Sequence, residues 1–225
     1  MEKFIKETIF NKSKYDVDKF ELYRCLVENM KLLSEVTPVP LKYGKKELEK
    51  VICNFVAKND YRKVIEGVYY DNNGYCVATN GKYMAYFENE DLKKLEKSFI
   101  QGKEGKIEGQ YPIWQNIIPK TFVNEFIVKD VAYLAGKVKA IRNLMNFAIN
   151  KSEACYIQLE EINEIIDSNF LLTILKSYVD IGEKEIKIEY NNDRYPFKIS
   201  GSKGFNVVTM SAMIKEGDVK IKLNQ

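Results

Sequence analysis

The chain of 225 residues is long enough for one large domain or two ordinary ones, and 45% of its residues are hydrophobic. It contains no histidine, which excludes Ser-His-Asp and Cys-His catalysis and also imidazole metal sites. The formal net charge of +3 is too small by itself to identify a nucleic-acid-binding protein. An enzymatic function would therefore have to use carboxylates or lysines.

The four cysteines, Cys25, Cys53, Cys76 and Cys155, are irregularly spaced and form no Cys-x-x-Cys pair. This spacing argues against disulfide frameworks and zinc knuckles, and it favours free thiols in a reducing cytoplasm. The sequence has no apolar run long enough to span a membrane, and its N-terminus lacks the pattern of a signal peptide. We therefore expect a cytoplasmic protein that has no membrane segment and no metal or other cofactor.

The N-terminal part of the chain predicts a short strand followed by two helices. Residues 1–10 have strand character, and residues 18–35 carry apolar side chains at helical spacing. Pro38 and Pro40 interrupt this pattern, because proline stops a helix and favours extended chain. A second amphipathic helix is predicted over residues 45–58.

Residues 65–90 predict a three-stranded antiparallel meander. Two Asn-Gly pairs, Asn73-Gly74 and Asn80-Gly81, stand seven residues apart between segments rich in β-branched and aromatic residues. Both residues of an Asn-Gly pair tolerate the positive φ angles that two-residue hairpin turns require. We therefore expect such a turn at each pair, and a loop or a short strand pair over residues 91–110.

The remainder of the chain predicts a strand, a helix, strands, a second helix and further strands. The first helix is predicted over residues 129–146, and the second starts at Ser168 as N-cap and ends at Gly182. Helices segregated from antiparallel strands indicate an α+β fold. We place a shortened first domain at residues 1–119 and a complete second domain at residues 120–225.

Three stretches of the sequence carry a resemblance when they are taken together. They are Ala-Thr-Asn-Gly-Lys-Tyr-Met-Ala (78–85), "EGQYPIWQNIIPK" (108–120), and residues 168–201 followed by "FNVVTMSAMI" (205–214). The first is similar to the signature Ala-Thr-Asp-Gly-His-Arg-Leu-Ala of the bacterial sliding clamp, the DNA polymerase III beta subunit. The second resembles the link between the second and third domains of that family, and the third resembles its last helix and strands. The resemblance implies the DNA-clamp fold with two clamp-like domains.

The sequence also departs from the sliding clamp family. Compared with that family, the first domain is absent and the stretch after the hairpin is too short for a second helix. The signature His and Arg are Lys82 and Tyr83 here, and the Pro and Arg of the family's Met-Pro-Met-Arg-Leu ending are Ser211 and Met213. Our hypothesis is that residues 1–35 complete the shortened domain from the other end of the chain.

The resemblance implies a ring whose helices line a channel around duplex DNA. Lysine suits non-specific contact with phosphate better than bidentate readout of bases. The candidate DNA-binding residues are Lys45, Lys46, Lys50, Lys137, Lys139, Arg142 and Lys176. For any one of them, a solvated helix face is the alternative interpretation. Two domains per chain would require a homotrimer to close a six-domain ring.

The resemblance further implies a hydrophobic groove between the two domains, which binds short peptides from DNA polymerases and other partners. Carried over by position, the groove would consist of Arg62, Ile65, Thr79, Gly81, Lys82, Met84, Pro119, Phe197, Met210, Ser211 and Met213. Methionine side chains on rigid strands make an adaptable surface for peptide anchors. The alternative interpretation is that Met84, Phe197 and Met210 are ordinary core residues.

Three functions remain open at this point. The first is a sliding-clamp-like processivity factor for DNA replication or repair that contacts DNA and partner peptides. The second is a clamp-fold interaction protein that forms no ring and regulates polymerase or clamp partners. The third, an unrelated α+β enzyme, would need a constellation of carboxylates or lysines that the sequence does not show.

Overall fold

The structure is a computed structural model that describes residues 38–148, 155–159, 161–162, 164–191, 196–214 and 219–223. The expected strand over residues 1–10 and helix over residues 18–35 lie outside the described residues, and so does the hypothesis that they complete the first domain. The described helices are α1 (Leu48–Ile52), α2 (Val131–Ala148) and α3 (Ser168–Ile181). The described strands are β1 (Val68–Asp71), β2 (Tyr75–Thr79), β3 (Tyr83–Glu88), β4 (Phe99–Gln101), β5 (Lys106–Ile107), β6 (Asn124–Val128), β7 (Cys155–Leu159), β8 (Glu164–Asp167), β9 (Ile186–Tyr190), β10 (Phe197–Gly201), β11 (Asn206–Thr209) and β12 (Val219–Leu223).

Within the described residues the strands form two sheets. The larger sheet has nine strands in the order β5-β4-β1-β2-β3-β11-β10-β9-β6, and the smaller one has the order β12-β7-β8. Antiparallel pairing of β3 with β11, in which Tyr83 lies opposite Thr209, joins the two parts of the chain into one sheet. The α+β architecture is confirmed. The predicted domain division between residues 119 and 120 stays a prediction. Strands from both sides of that division belong to the nine-stranded sheet.

Alternate residues of the central strands face two different cores, as the period of two in a strand requires. Cys76 and Ala78 of β2 pack in the large core that also contains α2 and α3, whereas Val77 faces the opposite side. On that opposite side, residues 109–118 cross the meander and bury Trp114, which is 4% exposed. The Trp114 indole Nε1 donates a hydrogen bond to Asp71 Oδ2 at 3.2 Å. The link predicted from sequence is therefore a packed cover over β1–β3.

The meander is confirmed, but its turns differ from the expected pair of two-residue Asn-Gly turns. Asp71 pairs with Tyr75, so the first loop has three residues and ends at Gly74, whose φ is +94°. In the second turn Asn80 N donates to Tyr83 O at 3.3 Å, which makes Gly81 and Lys82 the central residues. In both turns only the glycine has a positive φ. The asparagines contribute through their side chains instead.

The helix predicted over residues 45–58 is wrong in length, since α1 contains five residues and is followed by a 3-10 turn, Cys53–Phe55. The backbone before α1 is held extended, because Gly44 N and Lys46 N donate to the last carbonyls of α3, at 2.8 and 2.9 Å. The N-cap of α3 is Asp167 rather than Ser168, as the Asp167 side chain accepts from two backbone N–H groups of the first turn. Gly182 ends α3 with φ +82°, as predicted.

Candidate peptide-binding surface and helix face

The second hairpin turn is fixed by its own side chains. Thr79 Oγ1 donates to Tyr83 O at 2.9 Å and accepts from Gly81 N at 3.0 Å. Asn80 Oδ1 accepts from Lys82 N at 3.0 Å and from Tyr83 N at 3.1 Å. These hydrogen bonds satisfy backbone N–H groups of the tight turn that strand pairing alone would leave without a partner. The turn is therefore a rigid feature at the end of β2 and β3.

Arg62 lies against this turn and is held there by Asp60. The Asp60 carboxylate accepts from Arg62 N at 2.8 Å, Nε at 3.0 Å and Nη2 at 3.1 Å. These hydrogen bonds from Arg62 lower the pKa of Asp60 to about 2. A Cβ atom built on Gly81, whose φ is +83°, would lie 2.6 Å from Arg62 Nη2. Glycine thus permits both the turn geometry and the close approach of the guanidinium.

Sequence reasoning found Arg62 but missed Asp60. The sequence does contain a signal for Asp60, namely an aspartate two positions before the arginine. At that spacing an aspartate side chain can accept a hydrogen bond from the backbone N–H two residues later. Asp60 is therefore a positioning residue for Arg62.

Ile65 and Met84 lie beneath the turn and not on its surface. Each is 1% exposed, and both pack with Val77 and Val208 in the core on the covered side of the meander. Thr79 is also buried. These residues can support a binding surface from below, and Met84 is a core residue, as the alternative interpretation proposed.

The chain leaves β11 at Met210, next to the same turn. Thr209 is paired with Tyr83, so Met210 emerges beside Lys82 and is 54% exposed. Ser211 Oγ accepts from Ile165 N at 3.0 Å and fixes the segment to the edge of β8. Met213, three residues after Met210, is 78% exposed. Two methionine side chains are thus displayed from an anchored backbone.

The two remaining groove candidates lie elsewhere in the packing. Phe197 is fully buried in the large core on the helix side, because it occupies the same face of β10 as Ile199. Pro119 is partly buried and follows Ile118, which packs against the core beneath the turn. The exposed candidates, Arg62, Gly81, Lys82, Met210 and Met213, are called the turn surface below.

The candidate DNA-binding residues of α2 differ in exposure. Lys139 is exposed and Arg142 is partly buried, but Lys137 is only 5% exposed, and its Nζ lies 5.8 Å from the centre of the Tyr133 ring. Burial of Lys137 contradicts the solvated helix face, which was the alternative interpretation, and the DNA contact predicted for Lys137 stays a prediction. Next to it, residues 38–40 cross α2 so closely that a Cβ on Gly136 would lie 2.5 Å from Val39 O.

The remaining candidate cations are exposed, and two of them form ion pairs. Lys46 Nζ lies 2.9 Å from Asp180 of α3, and Lys50 Nζ lies 2.9 Å from Glu47. Lys45 and Lys176 are exposed as well. Exposed lysines can contact phosphate without a fixed register, whereas the carboxylate partner of an ion pair reduces the local positive potential.

Among the described residues no group of three or more His, Cys, Asp or Glu side chains is placed to hold a metal ion. None of the described helices combines the length and the hydropathy that crossing a membrane requires.

Comparisons with known proteins identify similarity at the level of the fold. No protein-family model matches the sequence, and a search of curated proteins found no match. Solved structures do match. The Helicobacter pylori beta clamp bound to a DNA ligase peptide is 16% identical with a TM-score of 0.53, and the match covers 80% of this chain and 67% of the clamp chain.

Two further clamps give comparable values. The Borrelia burgdorferi DNA polymerase III subunit beta is 18% identical with a TM-score of 0.56, and the match covers 74% of this chain and 62% of that one. The DNA polymerase III beta subunit of Thermotoga maritima is 16% identical with a TM-score of 0.52, and the match covers 79% of this chain and 68% of that one. The chain spans about two thirds of the length of these clamps. It has the fold of the bacterial DNA polymerase III beta clamps.

Proposed function

We propose that this protein is a sliding-clamp-like factor for DNA replication or repair that binds partner peptides at the turn surface and contacts duplex DNA non-specifically through its helices. The observation that carries the proposal is a clamp fold in which exposed Met210 emerges beside a turn fixed by its own hydrogen bonds, with exposed Met213 three residues further along the chain. A similar clamp, that of Helicobacter pylori, is bound to a DNA ligase peptide, which supports a peptide as the ligand.

The turn surface has the physical properties of a peptide-binding surface. Its backbone is fixed by the Thr79 and Asn80 hydrogen bonds and by the Ser211 anchor, so little ordering would be needed on binding. Met210 and Met213 supply flexible, polarisable apolar contacts that can adapt to a partner's side chains. Arg62 and Lys82 supply charge at the margin.

Fluorescence anisotropy with a labelled DNA ligase peptide tests this surface. We expect the double substitution Met210→Ala and Met213→Ala to weaken binding about tenfold or more, since buried anchors at interfaces often contribute above 1 kcal/mol each. Val123→Ala is the matched control, because Val123 is 79% exposed but precedes β6 at the far edge of the sheet. If the double variant binds as tightly as the control, the peptide site is not at the turn surface.

Contact with DNA is proposed through exposed lysines of α2 and α3, which are called the helix layer. Lys139→Glu with Lys176→Glu should weaken binding to duplex DNA and reduce its salt dependence, because fewer counterions are released. Lys97→Glu with Lys103→Glu makes the same change in charge near β4 and should have little effect. Equal loss in the two double variants would show that total charge, and not the helix layer, controls the association.

Two observations favour the clamp-fold interaction protein without a ring as a second candidate. Lys137 is buried, and the segment before α1 lies across the helices, with Leu41 N donating to Ala132 O at 3.1 Å and Gly44 N to Val179 O at 2.8 Å. Light scattering separates the two candidates, since a ring of two-domain chains requires a trimer. A monomer that binds the peptide but is not retained on circular DNA would favour the second candidate.

A further inference from the structure

Tyr61 is an exposed aromatic side chain next to the turn surface. It is 88% exposed, the highest value among the large hydrophobic residues that the structure describes. The guanidinium carbon of Arg62 lies 5.1 Å from the centre of the Tyr61 ring, within the range of a cation–π contact. Since Arg62 also lies against Gly81, the exposed area of the turn surface continues from Lys82 to Tyr61.

The loop that presents Tyr61 is fixed by local interactions. Asn59 has φ +56°, a left-handed conformation that few residues other than glycine adopt and in which asparagine is enriched. Asp60 N donates to Glu66 Oε1 at 2.7 Å, and Lys63 Nζ lies 3.1 Å from the same atom. A ring held on a braced loop loses little conformational entropy when a partner covers it.

The charges around Tyr61 are unequal in sign. Segment 58–66 and Lys82 together carry four cationic side chains and two carboxylates. The cations are Lys58, Arg62, Lys63 and Lys82, and the carboxylates are Asp60 and Glu66. Both carboxylates are ion-paired, with Arg62 and Lys63, and each pair reduces the local positive potential. The excess of positive charge therefore lies on Lys58 and Lys82, which makes the surface complementary to a negatively charged segment.

We propose that Tyr61, stacked on Arg62, is an additional anchor site that binds the acidic end of a partner peptide whose apolar part lies on Met210 and Met213. The inference rests on the peptide binding proposed above and concerns one extension of that surface. An aromatic ring beside a guanidinium offers apolar contact area for the stem of an acidic side chain and a cation for its carboxylate. Tyrosine and arginine are also the residue types that most often dominate binding at interfaces.

Extended peptides test this assignment by anisotropy. Two extended forms of the DNA ligase peptide are made, one with two aspartates added at its N-terminus and one with two aspartates added at its C-terminus. Each is compared with a peptide that carries two asparagines at the same terminus. We expect one aspartate extension to bind several-fold more tightly than its asparagine counterpart, with an advantage that shrinks as salt rises. Tyr61→Ala should remove most of that advantage, while Tyr61→Phe keeps it and the unextended peptide binds both variants like the unaltered protein.

The outcomes separate this inference from the proposed function. If Tyr61→Ala leaves the aspartate advantage unchanged, or if neither aspartate extension shows one, the inference is overturned. Weakening by Met210→Ala with Met213→Ala would then still support the proposed function. If the unaltered protein binds none of the peptides, both are overturned.

Discussion

Replacing Gly81 by alanine tests whether Arg62 is held against the hairpin turn. At φ +83° an alanine Cβ would lie 2.6 Å from Arg62 Nη2, so the guanidinium or the turn would have to move. Gly204 provides the matched control, because its φ is +78° and no atom of the described residues lies within 4 Å of an added Cβ. Both alanines are strained by the left-handed backbone, but only the one at position 81 meets a side chain.

The backbone contribution can be estimated from the left-handed conformation, which costs an L-residue about 1–2 kcal/mol. Gly204→Ala should therefore lower the free energy of unfolding by about 1–2 kcal/mol. Gly81→Ala should lower it further, because Arg62 can move aside only by losing hydrogen bonds to Asp60. Urea denaturation followed by the fluorescence of Trp114 measures both losses, and a constant m-value would show that the unfolded state is unchanged.

Equal losses of stability in the two variants would refute this reasoning, since Arg62 would then move aside freely. A second comparison locates the additional loss. With Arg62→Ala as the background, Gly81→Ala should be no more harmful than Gly204→Ala is in the unaltered protein. An additional loss that persists in that background would have to arise from the turn backbone and not from the guanidinium.

Three further predictions follow from buried groups. Tyr178→Phe should lower the free energy of unfolding by about 1–3 kcal/mol, because the buried hydroxyl donates to Ile199 O at 2.7 Å and also lies 3.2 Å from Phe205 O; an unchanged urea midpoint would contradict this. Burial raises the pKa of Glu164, so the folded protein loses stability as pH rises from the ordinary carboxyl range through that raised pKa. Glu164→Gln should therefore gain stability relative to the unaltered protein across that pH interval. A gain that does not depend on pH would contradict the raised pKa of Glu164. Burial raises the pKa of Cys76 to about 12 and that of Cys155 to about 11, so peptide mapping after alkylation at pH 8 should find exposed Cys53 modified well before either, whereas comparable rates would contradict their burial.

Much of the local structure could be predicted because it depends on short stretches of sequence. The β1–β3 meander follows from turn residues between β-branched and aromatic segments, and α2 and α3 follow from apolar side chains at helical spacing. The errors also have local explanations. Asp167 competes with Ser168 for the N-cap, and a carboxylate that accepts two N–H groups is the stronger cap.

The candidate site was predictable in part. The resemblance of the hairpin pointed to Gly81, Lys82 and the segment beginning at Met210, which the structure brings together. It also assigned Phe197 to the groove, where strand alternation places that side chain in the opposite core. The bracing of Arg62 by Asp60 and the exposure of Tyr61 were not expected, because they depend on how a loop is positioned by neighbouring residues.

The sequence by itself determined the elements, because hydrophobic periodicity and turn chemistry act over a few residues. Only the tertiary structure decided how those elements meet. Pairing of β3 with β11 joins segments more than a hundred residues apart, and extended segment 38–44 crosses α2 and α3 through backbone hydrogen bonds that no side-chain pattern encodes. Burial of Lys137 is a consequence of packing as well, since a charged residue on a helix is exposed or covered according to what the rest of the chain places above it.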